Sequence, residues 1–251
     1  MKILGVPVQA TSYQAAIAQI MAWAEKNESR YVCAANVHMV MEAHDSPEFM
    51  EVVNQADLVT PDGMPLVWAM RRLGVPKQER VYGPDLAIQL IEAAAKNSMP
   101  IGFYGSSPEV LERLVNNIRK EYPSAKIAYS FSPPFRPTSS EEDAQIIQEI
   151  NASGARILLV GLGCPKQEEW MAQHKDKIEA VMVGVGAAFD FHAGAKPQAP
   201  AWMQKRGMEW LYRLTHEPRR LWKRYLYHNP RFIVLVLGQI FLWDPGLKKK
   251  N

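Results

Sequence analysis

Short apolar runs that end in small-residue turns and then give way to helices recur along this 251-residue chain, and that alternation narrows the folds open to it. The clearest runs are Ile101 to Tyr104, Ile157 to Val160 and Val181 to Val185, preceded by Tyr31 to Ala35 and Leu58 to Thr60. A strand that is apolar on every residue has to be covered on both faces, and strands alternating with helices pair in parallel. The pattern predicts an α/β fold with a parallel sheet between two helical layers. Thr11 with Gln14 reads as a capping box ahead of Ile17, Ile20, Met21 and Ala24. Ser107 and Pro108 open a helix whose apolar face is Leu111, Leu114, Val115 and Ile118, and Ser139 with Glu142 forms another capping box. Further helices are expected beyond Asn36 and, after the turn Pro61-Asp62-Gly63, through Trp68 and Met70.

Ligands of such sheets bind beyond the carboxyl ends of the strands. Three of those ends are rich in small residues: Tyr104-Gly105-Ser106-Ser107, Gly161-Leu162-Gly163-Cys164-Pro165-Lys166-Gln167-Glu168, and Gly184-Val185-Gly186-Ala187-Ala188-Phe189-Asp190. Any one of them is simply a tight turn. Together, with backbone N–H groups at helix starts that attract phosphate, they point to a nucleotide diphosphate. The dinucleotide fingerprint GxGxxG is not completed and no Walker A sequence occurs. Asp62 lies in a strand-end turn on the same rim, where it is placed to act as a general base or to brace the turn. Asp190 is suited either to a ribose or base hydroxyl or to its own turn, and Glu168 opens a helix, where a carboxylate is favoured in any case.

Residues 1–204 carry 18 basic and 23 acidic side chains, whereas residues 205–251 carry 11 basic and 3 acidic ones. A tail this basic suits phosphate, on a ligand or on a lipid surface. Leu221, Trp222, Tyr225 and Leu226 share one helical face, with Arg219, Arg220, Lys223 and Arg224 on the other. Beyond Pro230 the run Phe232 to Trp243 has 12 residues, short of the roughly 20 that span a bilayer. It is expected to lie in a membrane interface, with Lys248 to Lys250 following, or to pack on the core with a solvated basic face. Two cysteines, Cys33 and Cys164, exclude a disulfide framework, and the opening residues are too weak for a signal peptide, so a cytoplasmic protein is expected. The six histidines show no HExxH and no metal-ligand spacing, and no Asp-x-Asp pair occurs, so no metal is expected. The charge of a departing diphosphate then falls to tail arginines such as Arg213, Arg219, Arg220 and Arg224.

Several stretches together resemble the WecG/TagA/CpsF group, glycosyltransferase family 26. They are Ala35-Asn36-Val37-His38, Thr60-Pro61-Asp62-Gly63, Arg80-Val81-Tyr82-Gly83-Pro84-Asp85-Leu86, Gly163-Cys164-Pro165-Lys166-Gln167-Glu168, and Gly207-Met208-Glu209-Trp210-Leu211-Tyr212-Arg213-Leu214 with Glu217-Pro218-Arg219-Arg220. The resemblance implies a Rossmann-like core of the GT-E type over residues 1–201 and a basic, aromatic membrane-docking appendage over 202–251. It implies an inverting, metal-independent transfer of a hexose or N-acetylhexosamine from a UDP-sugar to an undecaprenyl-diphosphate-linked saccharide. The enzyme would serve cell-surface polysaccharide synthesis as a peripheral protein at the inner face of the cell membrane, with no nucleic-acid partner. Carried over by position, Asp62 is the base, with Asn36, Arg80, Gln167 and Glu168 around it and Arg213, Arg220 and Arg224 closing over the diphosphate. Tyr104, Gly105, Ser106, Gly163, Gly186 and Asp190 are expected to hold the nucleotide. Ala34 replaces a threonine of the teichoic-acid members, and Gln198 stands where many members have arginine, which tilts the donor toward a UDP-hexose such as glucose. A homo-oligomer is compatible with the apolar tail. A nicotinamide-dependent oxidoreductase and a non-catalytic membrane-surface or nucleic-acid-binding module are the competing classes.

Overall fold

The computed structural model describes residues 1–243. The chain enters through a small antiparallel hairpin, β1 (Lys2–Ile3) and β2 (Val6–Pro7), and helix α1 (Tyr13–Glu25). It then lays down β3 (Arg30–Ala35), α2 (Val37–Asp45), α3 (Pro47–Asn54), β4 (Leu58–Pro61), α4 (Met64–Arg72) and α5 (Gly83–Lys96). The second half runs β5 (Ile101–Gly105), α6 (Pro108–Glu121), β6 (Ile127–Phe131), α7 (Ser140–Ser153), β7 (Ile157–Gly161), α8 (Lys166–His174), β8 (Val181–Gly184) and α9 (Ala188–His192). Short helices α10 (Ala201–Lys205) and α11 (Glu209–His216) lead into the long α12 (Pro218–Trp243).

Among the described residues, six strands form one parallel sheet in the order β4-β3-β8-β7-β5-β6. Along β4, β3, β8, β7 and β5 both faces are dry, as continuous apolar strands require. Tyr31, Cys33, Leu158, Val160 and Met182 pack under α2, α3, α4 and α8, while Val32, Phe103, Leu159, Val181 and Val183 pack under α1, α5, α6 and α9. The expected α/β, Rossmann-like core is what forms. The strand β6 was not expected; it is an edge strand in which Ile127, Tyr129 and Phe131 alternate with exposed residues, so no apolar run marks it.

Two local readings change. The cap of α1 is Ser12, whose hydroxyl accepts the Ala15 N–H at 3.2 Å, one residue beyond the expected Thr11. The tail helix does not stop before Pro230 but runs through it to Trp243. Proline removes a helical N–H and crowds the preceding turn; here buried residues on both sides hold the helix, Leu221 before the proline and, after it, Phe232 and Val236 within the core. Arg231 adds a two-pronged ion pair to Asp45 of α2 at 2.6 and 2.7 Å, and Gln239 bonds Leu4 N–H and Lys2 C=O across the hairpin. The apolar face therefore differs from the expected one: Leu221 is inside, whereas Trp222 and Leu226 are exposed. Lys248 to Lys250 lie outside the described residues.

At the carboxyl rim the ends of β5 and β7 touch. Gly105 takes φ of +127°, and a Cβ there would meet the Gly161 carbonyl carbon at 2.6 Å. Ser106 N–H donates to Gly161 C=O at 3.1 Å. Gly105→Ala is expected to cost about 2 kcal/mol or more, because it adds both a strained backbone and a backbone clash. A denaturant midpoint equal to that of the unaltered protein would contradict this.

Candidate active site

The tips of β3 and β4 end level, with Ala35 opposite Pro61, and Asp62 N–H donates to Ala35 C=O at 2.8 Å. This sets Asn36 and Asp62 side by side. Asn36 caps α2 by accepting the Met39 N–H on its Oδ1 at 3.2 Å, which fixes the amide, and its polar side chain beside Asp62 favours the ionised carboxylate. Asp62 Oδ1 also accepts the Gly83 N–H at 2.7 Å, at the start of α5. Burial nevertheless dominates and pushes the Asp62 pKa up to about 6, against the opposing pull of Arg80.

Arg80 joins this pair to the tail. Its Nε donates to the Asp62 carbonyl oxygen, and its Nη2 lies 2.6 Å from Glu209 Oε2 of α11. The guanidinium stacks 3.9 Å over the Tyr82 ring, and Tyr82 OH donates to Glu209 Oε1 at 2.9 Å. Glu209 and Tyr82 lie inside stretches that carried the resemblance, but nothing in their spacing shows that they meet. Glu209 raises the pKa of Asp62 while Arg80 lowers it, so the two ends of one ion pair act on the base in opposite senses.

Above Asp62 opens a cavity of about 600 Å³. Asn36, Asp62 and Arg80 form its floor, Arg213, Arg224 and Tyr225 its basic wall, and Met64, Trp68, Phe232, Val236 and Ile240 an apolar corridor between α4 and α12. Arg213 Nε is buried with no hydrogen-bond partner among the described residues. Burial pulls the Arg224 pKa down. Asp62, Asn36, Arg80, Arg213 and Arg224 thus converge on one cavity.

The remaining expected residues do not line it. Arg220 is half exposed and pairs with Glu217 at 2.8 Å. Tyr104 is buried, its ring stacked 4.3 Å from that of Trp170, so its side chain belongs to the core. Gly105 and Ser106 are engaged with the end of β7, and Asp190 sits 3.4 Å from Lys196. Gly163, at φ +81°, shapes the turn before α8. Gln167 spans the rim from behind: its Oε1 accepts the Gly186 N–H at 3.0 Å, and its Nε2 donates to Glu168 at 2.6 Å. Glu168 is almost fully enclosed and its other oxygen, Oε2, has no partner among the described residues. Burial raises its pKa to about 7. The expectation of no clustered metal ligands also changes, because the fold gathers His38, Glu42 and His228 at the cavity edge.

Comparison with known proteins identifies the class as a glycosyltransferase on a Rossmann-like α/β core. Residues 1–244 match the model described as the glycosyl transferase WecG/TagA/CpsF family, and the chain belongs to that family. It is 29% identical over 214 residues, 85% of this chain and 80% of the relative, to an N-acetylglucosaminyldiphosphoundecaprenol N-acetyl-beta-D-mannosaminyltransferase of Bacillus spizizenii. A Staphylococcus aureus protein of the same name is 30% identical over 201 residues, 80% of this chain and 76% of that protein. Family membership sets aside the oxidoreductase and the non-catalytic module.

A carboxyl group whose folded pKa lies above its unfolded value holds an extra proton in the folded state, so stability falls as pH rises from about 4.5 to about 7. Glu168→Gln removes that penalty. The variant is expected to match the wild type below about pH 4.5 and to exceed it at pH 8 by on the order of 1–3 kcal/mol. Denaturant titrations at both pH values read the difference, and equal gains at both would show that the charge is not the cause.

Proposed function

We propose that this chain moves a sugar from a UDP-sugar onto a saccharide carried on a polyprenyl diphosphate, working against a membrane surface. The observation that carries the reading is the cavity itself: an ionisable carboxylate at its floor, arginines on one wall and an apolar corridor along α12. Carboxylate, guanidinium and apolar surface match an attacking hydroxyl, a diphosphate and a prenyl chain in turn. The names of the relatives, which specify a diphosphoundecaprenol acceptor, support the same reading. Those names put N-acetylmannosamine first among donors to be tried, beside the glucose toward which Gln198 tilts.

In this mechanism Asp62 takes the proton of an acceptor hydroxyl as that oxygen attacks the anomeric carbon opposite the nucleotide. The bond to the diphosphate breaks in the same step, configuration inverts, and UDP leaves with its charge met by Arg213 and Arg224. Arg80 and Asn36 hold the base, and Gln167 with Glu168 braces the rim behind it. These arginines supply the charge that a magnesium or manganese ion would otherwise bring, so added magnesium or manganese is expected to leave the rate unchanged.

Trp222, Leu226, Tyr227, Ile233, Val234 and Phe241 leave much of one side of α12 apolar and exposed. No helix among the described residues is long and apolar enough to cross a membrane. The reading places this face in the headgroup region at the inner surface of the cell membrane, which brings the mouth of the corridor to the lipid. The same face would suit a second copy of the chain where no membrane is present.

The decisive assay offers a panel of UDP-sugars with a short-chain polyprenyl-diphosphate saccharide and reads product mass; no product from any donor would overturn the proposal. Asp62→Asn is expected to lose a factor of roughly 10² or more in kcat with donor KM nearly unchanged. Because the base must be ionised, activity is expected to fall as pH drops through about 6. Glu209→Gln withdraws the negative charge that raises that pKa, so its acid limb should move to lower pH; a limb that stays put would remove Asp62 as the titrating group. Leu226→Glu with Phe241→Glu should cut sedimentation with anionic vesicles while leaving thermal stability intact, and undiminished sedimentation would show that α12 does not face the lipid.

A further inference from the structure

We propose that His38, Glu42 and His228 form a zinc-type metal site that clamps α12 to α2 at the edge of the cavity. His38 and Glu42 are one helical turn apart on α2, which puts them on one face, and His228 reaches them from α12. The three donor atoms lie within 4.8 Å of one another. Glu42 Oε1 is 3.4 Å from His38 Nδ1 and 3.3 Å from His228 Nε2. Both separations exceed the 2.7–3.2 Å of a well-made N–H···O bond. They match the roughly 3.3–3.5 Å between neighbouring ligands of a tetrahedral ion bound at 2.0–2.1 Å.

The unmet polar atoms point the same way. Both ring nitrogens of His38 and the Nδ1 of His228 are buried without hydrogen-bond partners among the described residues. Of these, His38 Nδ1 is the atom that faces Glu42 and would take up the ion, while His38 Nε2 and His228 Nδ1 are the far nitrogens of the two rings. Two imidazoles and one carboxylate suit zinc and its transition-metal neighbours rather than magnesium or calcium, which prefer all-oxygen shells. Three protein ligands leave a fourth position, and since His38 and His228 both line the cavity it opens there. Arg224 faces both imidazoles and opposes a dication, so the expected affinity is on the order of micromolar, weaker than a closed four-ligand site. The ion's task is to hold the tail helix against the core, so the proposal stands whatever sugar is transferred.

Tag-free full-length protein, stripped with chelator and dialysed, should bind one zinc ion per chain by calorimetric titration. Zinc should raise its melting temperature and slow tryptic cleavage within residues 205–243. Glu42→Gln and His228→Gln should each weaken zinc binding at least tenfold and abolish the protection, whereas His44→Gln, on the exposed side of the same helix, should change neither. Absence of saturable binding by the wild-type protein would overturn the site. So would affinity unaltered in both ligand variants, provided that their circular dichroism shows them folded.

Discussion

The cavity depends on the buried Arg80 guanidinium. A charge taken out of water is tolerated only when its partners are complete, and losing one leaves an uncompensated ion that costs several kcal/mol. Arg80 draws one partner from the β4 turn, the Asp62 carbonyl, one from the ring of Tyr82, and one from Glu209 of the appendage. Core and tail are thereby made conditional on each other. The base sits in a dry place because α11 and α12 roof it, and that roof is held in part by the residue that lies against the base.

The sheet was legible because burial on both faces leaves an unbroken apolar signature. β3, β4, β5, β7 and β8 fall within a residue or so of where the apolar runs put them. β6 was not legible, for the opposite reason: an edge strand with one wet face gives alternation too short to stand out. The tail shows another limit. Periodicity put Leu221, Trp222, Tyr225 and Leu226 on one face of α12, but tertiary packing decides which of them is covered, and Leu221 turns in while Trp222 and Leu226 turn out. Pro230 is disfavoured inside a helix by local chemistry, and tertiary anchoring on both sides overrides that preference.

At the site, Asp62 could be read from its strand-end turn and Arg213 and Arg224 from the charge of the tail, whereas Asn36 and Arg80 came from the family resemblance; all five line the cavity. Glycine is ambiguous in such turns. A glycine at a strand end serves either a phosphate or a close approach of two backbones, and Gly105 against Gly161 is the second case. The meetings of Arg80 with Glu209, and of His38 and Glu42 with His228, join residues far apart in the chain, so no spacing rule reveals them.

The contact of Glu209 with Arg80 also makes proton and posture interchangeable. Seating the appendage dries Asp62 and brings a negative charge near it, both of which raise its affinity for a proton. Linkage is reciprocal, so a proton on Asp62 must favour the seated tail by the same factor, and its departure must loosen the tail by that factor. In the proposed reaction the base is protonated just as the new glycosidic bond forms. In that reaction the coupling would tighten the tail over products and ease it once the proton returns to solvent.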